Sequence, residues 1–553
     1  MHFPRTWKMG IALEVVLTLA GCEAPKETGT DEAKPLDSRG ISEEALSEHL
    51  RRLSSDELEG RAPGSAGEEK TVLYLTEAFQ SMGLSPGNPD GTFVQKVRLV
   101  GITPKPEMSL SLSKDGEKKA LAPGDDYVAF TKRVVEHIDL DGELVFVGYG
   151  AVAPEYQWDD FKDADVRDKV LLFLVNDPPV ENLFGGKAMT YYGRWTYKFE
   201  TAAARGAKGA LVIHETGPAG YPWGVVGSSP YGESFDLATE DKNMGRARVE
   251  GWIQRGATEE IFRMAGLDFE AEKQKAATKE FRPVSLGIRA QTSFGNDLRN
   301  VDSQNVLARV KGAEAPDEVI IYTAHWDHLG RDETLTGDKI YNGAYDNASG
   351  TAALLEIAAN FARLSPAPRR SVLFLAVTGE EQGLLGSRLY AQTPLYPLEK
   401  TVAVINMDGV NVWGRTRDLT VVGMGQSSLD DLALRIASEQ GRVLKPDAEP
   451  EKGFYYRSDH FEFAKAGVPS FDPDDGIDFV GKPEGFGIET REKYTSEDYH
   501  QVSDEVKDDW DLSGTVEDCA LFFRMGQELA SGTDWPEWSA TSEFRAKRQP
   551  RKD

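Results

Sequence analysis

Two adjacent carboxylates, Glu380 and Glu381, follow the apolar run SVLFLAV (371–377) in the segment TGEEQG, with no Lys or Arg before Arg388. Side by side, they repel each other unless a cation holds them. The same residue types recur where other apolar runs end. EVIIYTA is followed by His325, Asp327 and His328; YNGAYDNASG carries Asp346 just before a helical stretch; TVAVINM is followed by Asp408. Further on, RSDHFEFAKAGVP and DYHQVSD supply His460 and His500. The chain has only eight histidines, so four in these short segments argue for one site. Imidazole with carboxylate, without thiolate, suits zinc or another borderline divalent ion in a catalytic site.

The elements that must position these residues alternate after Asn300. NVLARVKG, EVIIYTAHWD, a helix over Ser349 to Leu364, SVLFLAVTGEE, KTVAVINMDGV, LTVVGMG and a helix near Leu429 to Gln440 follow one another. Strands alternating with helices predict an α/β core, a mixed and largely parallel sheet flanked by helices. In such sheets ligands gather at the carboxyl ends of strands, which is where the acids and histidines stand. Upstream, Ile41 to Leu84 reads as two helices separated by GRAPGSAG, the second ending at Gly83. Between about Pro106 and Arg289 the pattern changes to short β-like runs, ELVFVGYG, KVLLFLVN, GALVIHE and VSLGIRA, with one helical stretch, KFETAAARGAKG. This predicts a separate β-rich insert. The closing TSEFRAKRQPRKD, polar and basic, is expected to be disordered.

At 553 residues the chain exceeds one hydrophobic core, and 40% hydrophobic content fits a globular protein. A formal charge of -28 excludes a sequence-independent phosphate-binding surface, so no nucleic-acid partner is expected. The first residues run basic (Arg5, Lys8), then apolar, then Leu19-Ala20-Gly21-Cys22, the order of a secretory signal. LAGC resembles the lipobox of bacterial lipoproteins, which implies export to the periplasm or cell envelope with a lipid on Cys22 as the only membrane link. Residues 23–40, rich in Pro, Gly and charge, read as a flexible tether. Cys519 is the only other cysteine; no disulfide framework is then available, and its segment TVEDCALFFRMGQEL reads as an amphipathic helix with the thiol inward.

The motifs AHWDHLG, NGAYDNASG, TGEEQGLLGS, INMDG, RSDHFEFAKAGVP and YHQVSD resemble, in order, those of the co-catalytic zinc exopeptidases of the aminopeptidase Y and leucyl aminopeptidase type, related to glutamate carboxypeptidase. The likeness runs from about Val301 to Val506, and GRAPGS is similar to a further family segment. GYGAVAPEYQWDDFKDADVRDKVLL resembles the protease-associated domain that many members carry. The implied organisation is a signal peptide with lipobox (1–22), a tether (23–40), a catalytic domain (41–105 and 290–533), a protease-associated-like insert (106–289) and a tail (534–553).

Carried over residue by residue, the resemblance implies two zinc ions bridged by Asp346 and a water or hydroxide. His325 and Asp408 would complete one site, Glu381 and His500 the other. It further implies Glu380 as general base, Asp327 as the carboxylate orienting the His325 imidazole, a cis peptide between Asp346 and Asn347, and Tyr499 as donor to the oxyanion, with Tyr455 in reserve. The charges agree: two divalent ions bring +4, and three ligand carboxylates with one hydroxide bring -4. The activity implied is that of an aminopeptidase acting on peptides. The alternatives are a carboxypeptidase or dipeptidase of the same fold, for which Arg457 is a candidate carboxylate partner, a glutaminyl cyclase, or a receptor-like protein without catalysis.

Other polar residues have plainer readings. His49, His137 and His214 are expected to be packed or at the surface, and His328 and His460 to support the pocket. Asp332, Glu333 and Asp338 read as a solvated edge. Asp472, Asp474, Asp475 and Asp478 in FDPDDGIDF lack the full calcium-loop spacing and are expected to form an acidic loop near the mouth of the site, with Tyr345 lining the pocket.

Overall fold

The protein is described by a computed structural model over residues 38–228 and 232–548. The signal expected over 1–22 and nearly all of the tether lie outside the described residues. Helices α1 (Glu43–Leu53) and α2 (Ala66–Ser81) start at Ser42 and Ser65, whose hydroxyls accept from the N–H groups of Ala45 and Glu68. Such caps satisfy backbone donors that the first turn leaves free. Leu46, Leu50 and Leu53 bury one face of α1.

Strand β1 (Val94–Pro104) pairs antiparallel with the long β2 (Val284–Val310). β3 (Ala315–His325), β4 (Arg370–Val377) and β5 (Thr401–Asn406) are parallel, with β3 between the other two. β6 (Asp418–Val422) runs antiparallel to β7 (Ser470–Asp474), and β7 runs parallel to β5. The sheet order is therefore β1-β2-β4-β3-β5-β7-β6. Every residue of β4 and β5 is buried, as expected of parallel strands covered on both faces. Helix α3 (Gly350–Ala362) is buried from Gly350 through Phe361. Its small residues, Ala352, Ala353, Ala358 and Ala359, let the sheet and neighbouring helices approach from all sides, the signature of a core helix. The mixed, largely parallel α/β fold expected from the sequence is present.

Register fixes the site. His325 ends β3 opposite Val377, and Thr323 lies opposite Asn406. The residues that follow each strand, His325 to His328, Thr378 to Glu381 and Met407 to Asp408, thus leave the sheet at one edge. Helix α4 (Leu385–Gln392) lies between β4 and β5 in the chain, and α5 (Leu429–Gln440), α6 (Phe486–Glu497) and α7 (Ser513–Ser531) follow β5. Cys519 is fully buried within α7, as its segment implied. Among the described residues no helix is long and apolar enough to cross a membrane.

A second sheet occupies the region read as the insert. Its centre is three parallel strands, Val170–Leu174, Gly209–His214 and Val249–Gln254, extended by His137–Phe146 and the first part of β2. Helices Trp195–Ala204, Arg255–Ala265 and Phe269–Ala276 accompany it, so this part is more mixed than its short β-like runs implied. The boundary expected at residues 289 and 290 falls inside one unbroken strand. β2 pairs with His137–Phe146 near its start and with β1 and β4 further on. Within the same region Ser234–Leu237 joins the first sheet, antiparallel to β1, and its Asp236 forms an ion pair with Arg388 of α4.

Of the segment expected to be disordered, 541–553, residues 541–548 are packed against the protein and 549–553 lie outside the described residues. Residues 534–548 are ordered: Trp538 and Phe544 are buried, Trp538 Nε1 donates to the Gly467 carbonyl (2.9 Å), and Glu543 Oε1 accepts from the Tyr456 hydroxyl (2.8 Å) and Tyr191 N–H (3.2 Å). Two aromatic anchors outweigh the polar composition around them. Trp538→Ala should cost about 3 kcal/mol, the usual scale for deleting a buried large aromatic side chain, and lower the thermal midpoint by several degrees in scanning fluorimetry. An unchanged midpoint would show that the tail contributes nothing.

Candidate metal centre

The turn that carries Asp346 is built before its side chain does anything. Asp504 accepts the N–H groups of Tyr345 (Oδ1, 3.0 Å) and Asp346 (Oδ2, 3.1 Å), and Tyr494 OH also donates to Oδ2 (3.2 Å). The Asn347 side chain accepts from Gly350 and Gly409 N–H (2.9 and 3.0 Å) and donates to the Met407 carbonyl (2.9 Å). These bonds fix the start of α3 against the end of β5, where Asp408 stands. The Asp346-Asn347 peptide is cis, as the resemblance implied.

Two imidazoles face this carboxylate from opposite sides. His325 Nε2 lies 3.3 Å from Asp346 Oδ1 and 3.1 Å from Asp408 Oδ1. His500 Nε2 lies 3.3 Å from Asp346 Oδ2 and 3.1 Å from Glu381 Oε2. Asp346 therefore gives one oxygen to each histidine, and each histidine has one further carboxylate. A tetrahedron of ligands about 2.0 Å from zinc has edges of about 3.3 Å. The histidine-to-carboxylate spacings in both groups match that edge. His325, Asp346 and Glu381 also offer ligand atoms all within 4.8 Å of one another.

The electrostatics call for cations. Burial would lower both imidazoles, but their carboxylate neighbours reverse it, raising His500 to about 10 and His325 well above its ordinary value. Burial would likewise raise Asp346 and Glu381. Hydrogen bonds from His325 and His500 hold Asp346 well below the usual range, and His328 and His500 bring Glu381 to about 2. The raised histidines answer the carboxylates with the kind of positive charge that a divalent ion would supply there.

The surrounding groups behave as orienters, with one difference from expectation. The His325 Nδ1–H points to the main-chain carbonyl of Asp327 (3.1 Å), whereas the Asp327 carboxylate is 3.9 Å away and instead accepts the Glu380 N–H (3.2 Å). The carbonyl selects the tautomer that leaves Nε2 facing the site, and the carboxylate braces the general-base candidate. Burial pushes the Asp327 carboxyl up to about 8. His328 Nδ1, 2.6 Å from Glu381 Oε1, supports that candidate ligand.

Tyr499 stacks on His500, with ring centroids 3.9 Å apart and 45% of the residue exposed. Burial of its phenol, then Asp346, Glu381, Glu380 and Asp408, raise its pKa. Tyr455 is shut in against His460 and Phe544, and the acids acting on it are Glu543, Asp472 and Asp430. His460 is fully buried, 3.3 Å from Asp472.

The acidic segment differs from the loop expected: Asp472 and Asp474 belong to β7, Asp474 pairs with Arg491, and Asp475 Oδ2 accepts from the Tyr345 hydroxyl (2.7 Å). Asp332, Glu333 and Asp338 lie on an exposed turn, as expected. Asp504 and Asn347 went unassigned by sequence reasoning, although both lie inside the quoted motifs. Their partners are main-chain groups, which leave no residue-type signal.

Residues 305–523 match peptidase family M28. That stretch of the chain is similar to the M28 peptidases. Among curated proteins, a probable zinc metalloprotease of Pyrenophora tritici-repentis is 34% identical over 140 residues, 25% of this chain and 27% of that protein. The aminopeptidase NAALADL1 of Mus musculus is 38% identical over 127 residues, 22% of this chain and 16% of the relative. The chain thus spans about a quarter or less of the length of these relatives. A solved aminopeptidase from Aneurinibacillus sp. strain AM-1 aligns over 90% of this chain and 96% of its own, at 20% identity and a TM-score of 0.48. The candidate ligands and their supports, from His325 to Asp504, fall within the M28 match.

Zinc ligands must be deprotonated, so zinc binding at pH 7 should release about one proton per histidine and weaken as pH falls. Calorimetric titration in two buffers of different ionisation enthalpy measures this. Zero net proton release would contradict the assignment of His325 and His500.

Proposed function

We propose that the chain is a zinc-dependent exopeptidase holding two zinc ions, an aminopeptidase that removes N-terminal residues from peptides. The observation that carries the reading is Asp346, shared between two histidine and carboxylate groups at ligand-edge spacing. Its donor set, imidazole and carboxylate without thiolate, fits zinc. His325, Asp408 and Asp346 would hold one ion, and His500, Glu381 and Asp346 the other. Bound there, such a pair supplies the charge that polarises a scissile carbonyl and acidifies an attacking water.

The chain's own residues do the rest. Glu380 Oε2 lies 4.0 Å from His325 Nε2, and its carboxyl is pushed well above the usual range by burial and by Asp408 and Glu381, against the pull of His325. A carboxyl with this appetite for a proton can take one from water and return it to the leaving amine. Tyr499, stacked on His500, is the candidate to donate its phenol hydrogen to the oxyanion. The excess of acids around the site favours a substrate bearing a free α-ammonium group. Arg457, the candidate for recognising a carboxylate, is exposed; it donates to the Lys452 carbonyl (2.8 Å) and lies over the Phe454 ring, 5.0 Å from its centroid. That placement weighs against the carboxypeptidase alternative.

The reading includes residues 106–289 as a protease-associated-like insert and, from the LAGC segment, export with a lipid on Cys22. Globomycin-sensitive incorporation of labelled palmitate would support the latter, and its absence from Cys22 would remove it.

Hydrolysis of a panel of free and N-blocked peptides by the zinc-loaded protein tests the function: free peptides should be cleaved and blocked ones spared. Equal cleavage of both would sink the aminopeptidase reading. Glu380→Gln should keep its zinc by elemental analysis while kcat falls about 10²–10⁴-fold, the range of general base catalysis; full activity would refute the assigned base.

A further inference from the structure

The segment GRAPGS lies outside the M28 match, and none of its side chains reaches the site as a ligand. Its Arg61 is nevertheless among the most deeply buried large side chains of the molecule, at 1% exposure. Its guanidinium is spent on four main-chain carbonyls: Trp326 from Nε (2.8 Å), Leu53 and Asn342 from Nη1 (2.5 and 2.6 Å), and Gly343 from Nη2 (2.9 Å). Trp326 stands between His325 and Asp327, and Gly343 lies three residues before Asp346. The Arg61 carbonyl in turn accepts the His328 N–H at 3.4 Å. A planar fork of five donors can serve several fixed acceptors at once; an ammonium cannot reproduce it.

Glu68 forms a second arm. It accepts from the Gly64 N–H and from Ser303 Oγ (2.9 Å), and Ser303 Oγ lies 2.6 Å from Thr378 Oγ1, two residues before Glu380. The backbone between the arms is bent to fit. Glu59, Gly60 and Arg61 all have positive φ, at 51, 70 and 53°. A Cβ on Gly60 would stand 2.3 Å from the Gly330 carbonyl oxygen and 2.7 Å from that of Tyr341, so this turn is pressed against both ends of the 330–341 loop. Left-handed backbone at two non-glycine residues persists where surroundings dictate it.

We propose that Arg61 is a positioning residue for the metal centre, and that Asp56–Glu68 braces the ligand-bearing turns at His325, Asp346 and Glu381 before any cation binds. The proposal rests on the zinc reading for its consequence but not for its geometry. The guanidinium also brings fixed positive charge to a cluster of acids. Burial lowers its pKa to about 10, and Asp504, Asp327, Asp346 and Glu381 oppose that fall, so it stays protonated at neutral pH.

Hydrogen exchange followed by mass spectrometry on the metal-free wild-type protein tests the brace directly. Segments 324–328, 342–348 and 378–381 should be protected to within about twofold of the zinc-loaded protein, since preformed hydrogen bonds and not the ion hold them. In Arg61→Lys, which keeps the charge and loses the fork, 324–328 and 342–348 should exchange about tenfold faster well below the unfolding temperature. Zinc affinity and kcat should each fall about 10–100-fold, the usual effect of removing an outer support of a metal site, with KM within about twofold. Glu68→Ala should loosen 378–381 and spare the other two segments. Two results would overturn the proposal: wild-type segments that gain protection only with zinc, or a folded Arg61→Lys with unchanged exchange and zinc affinity. If neither variant folds, the wild-type exchange decides. Failure of the wild type to bind zinc would refute the peptidase reading and leave the exchange result to judge the brace.

Discussion

Everything about this molecule turns on the repulsion among carboxylates gathered at one edge of a sheet. Asp327, Asp346, Glu380, Glu381, Asp408, Asp459 and Asp504 act electrostatically on one another there. At an effective dielectric near 20, two like charges about 4 Å apart cost about 4 kcal/mol, comparable to a large part of a domain's net stability. Such a cluster survives only where positive charge and hydrogen-bond donors are fixed around it. The histidines supply the charge while protonated, Arg61 supplies it permanently, and divalent ions would supply more than both.

The fold meets this constraint through rigid elements. Three parallel strands, buried on both faces, deliver His325, the Glu380-Glu381 pair and Asp408 to the same edge by register alone. The buried helix α3 begins where Asp346 stands, and Asp504 and Asn347 tie that turn to the neighbouring segments through main-chain groups. Side chains thus hold the backbone, and the backbone aims the side chains that matter. A site supported this way is arranged before a ligand arrives, which is what electrostatic catalysis requires.

Much of this was legible in the sequence, for identifiable reasons. The candidate ligands follow apolar runs or sit in short motifs, so His325, Asp346, Glu381, Asp408 and His500 stand out by type and place. The parallel core was legible because SVLFLAV and TVAVIN are apolar without alternation. What escaped has an equally physical cause. Asp504, Asn347 and Arg61 act on carbonyl and N–H groups, which every residue possesses, so no partner type marks them. β2 was read as two strands because SFGNDLRNVDSQN is polar, yet residues 296–306 pair one by one with 94–104, where one face of the ribbon meets solvent. The tail was misread because composition averages over residues, whereas Trp538 and Phe544 are anchored individually.

The central claim is that Asp346 is shared by two cations. Anomalous scattering from crystals of the zinc-loaded protein, recorded on either side of the zinc absorption edge, tests it most directly. The account predicts two peaks flanking the Asp346 carboxylate, one beside His325 and Asp408 and the other beside His500 and Glu381. A single peak at full zinc occupancy, or two peaks of which one does not touch Asp346, would contradict it.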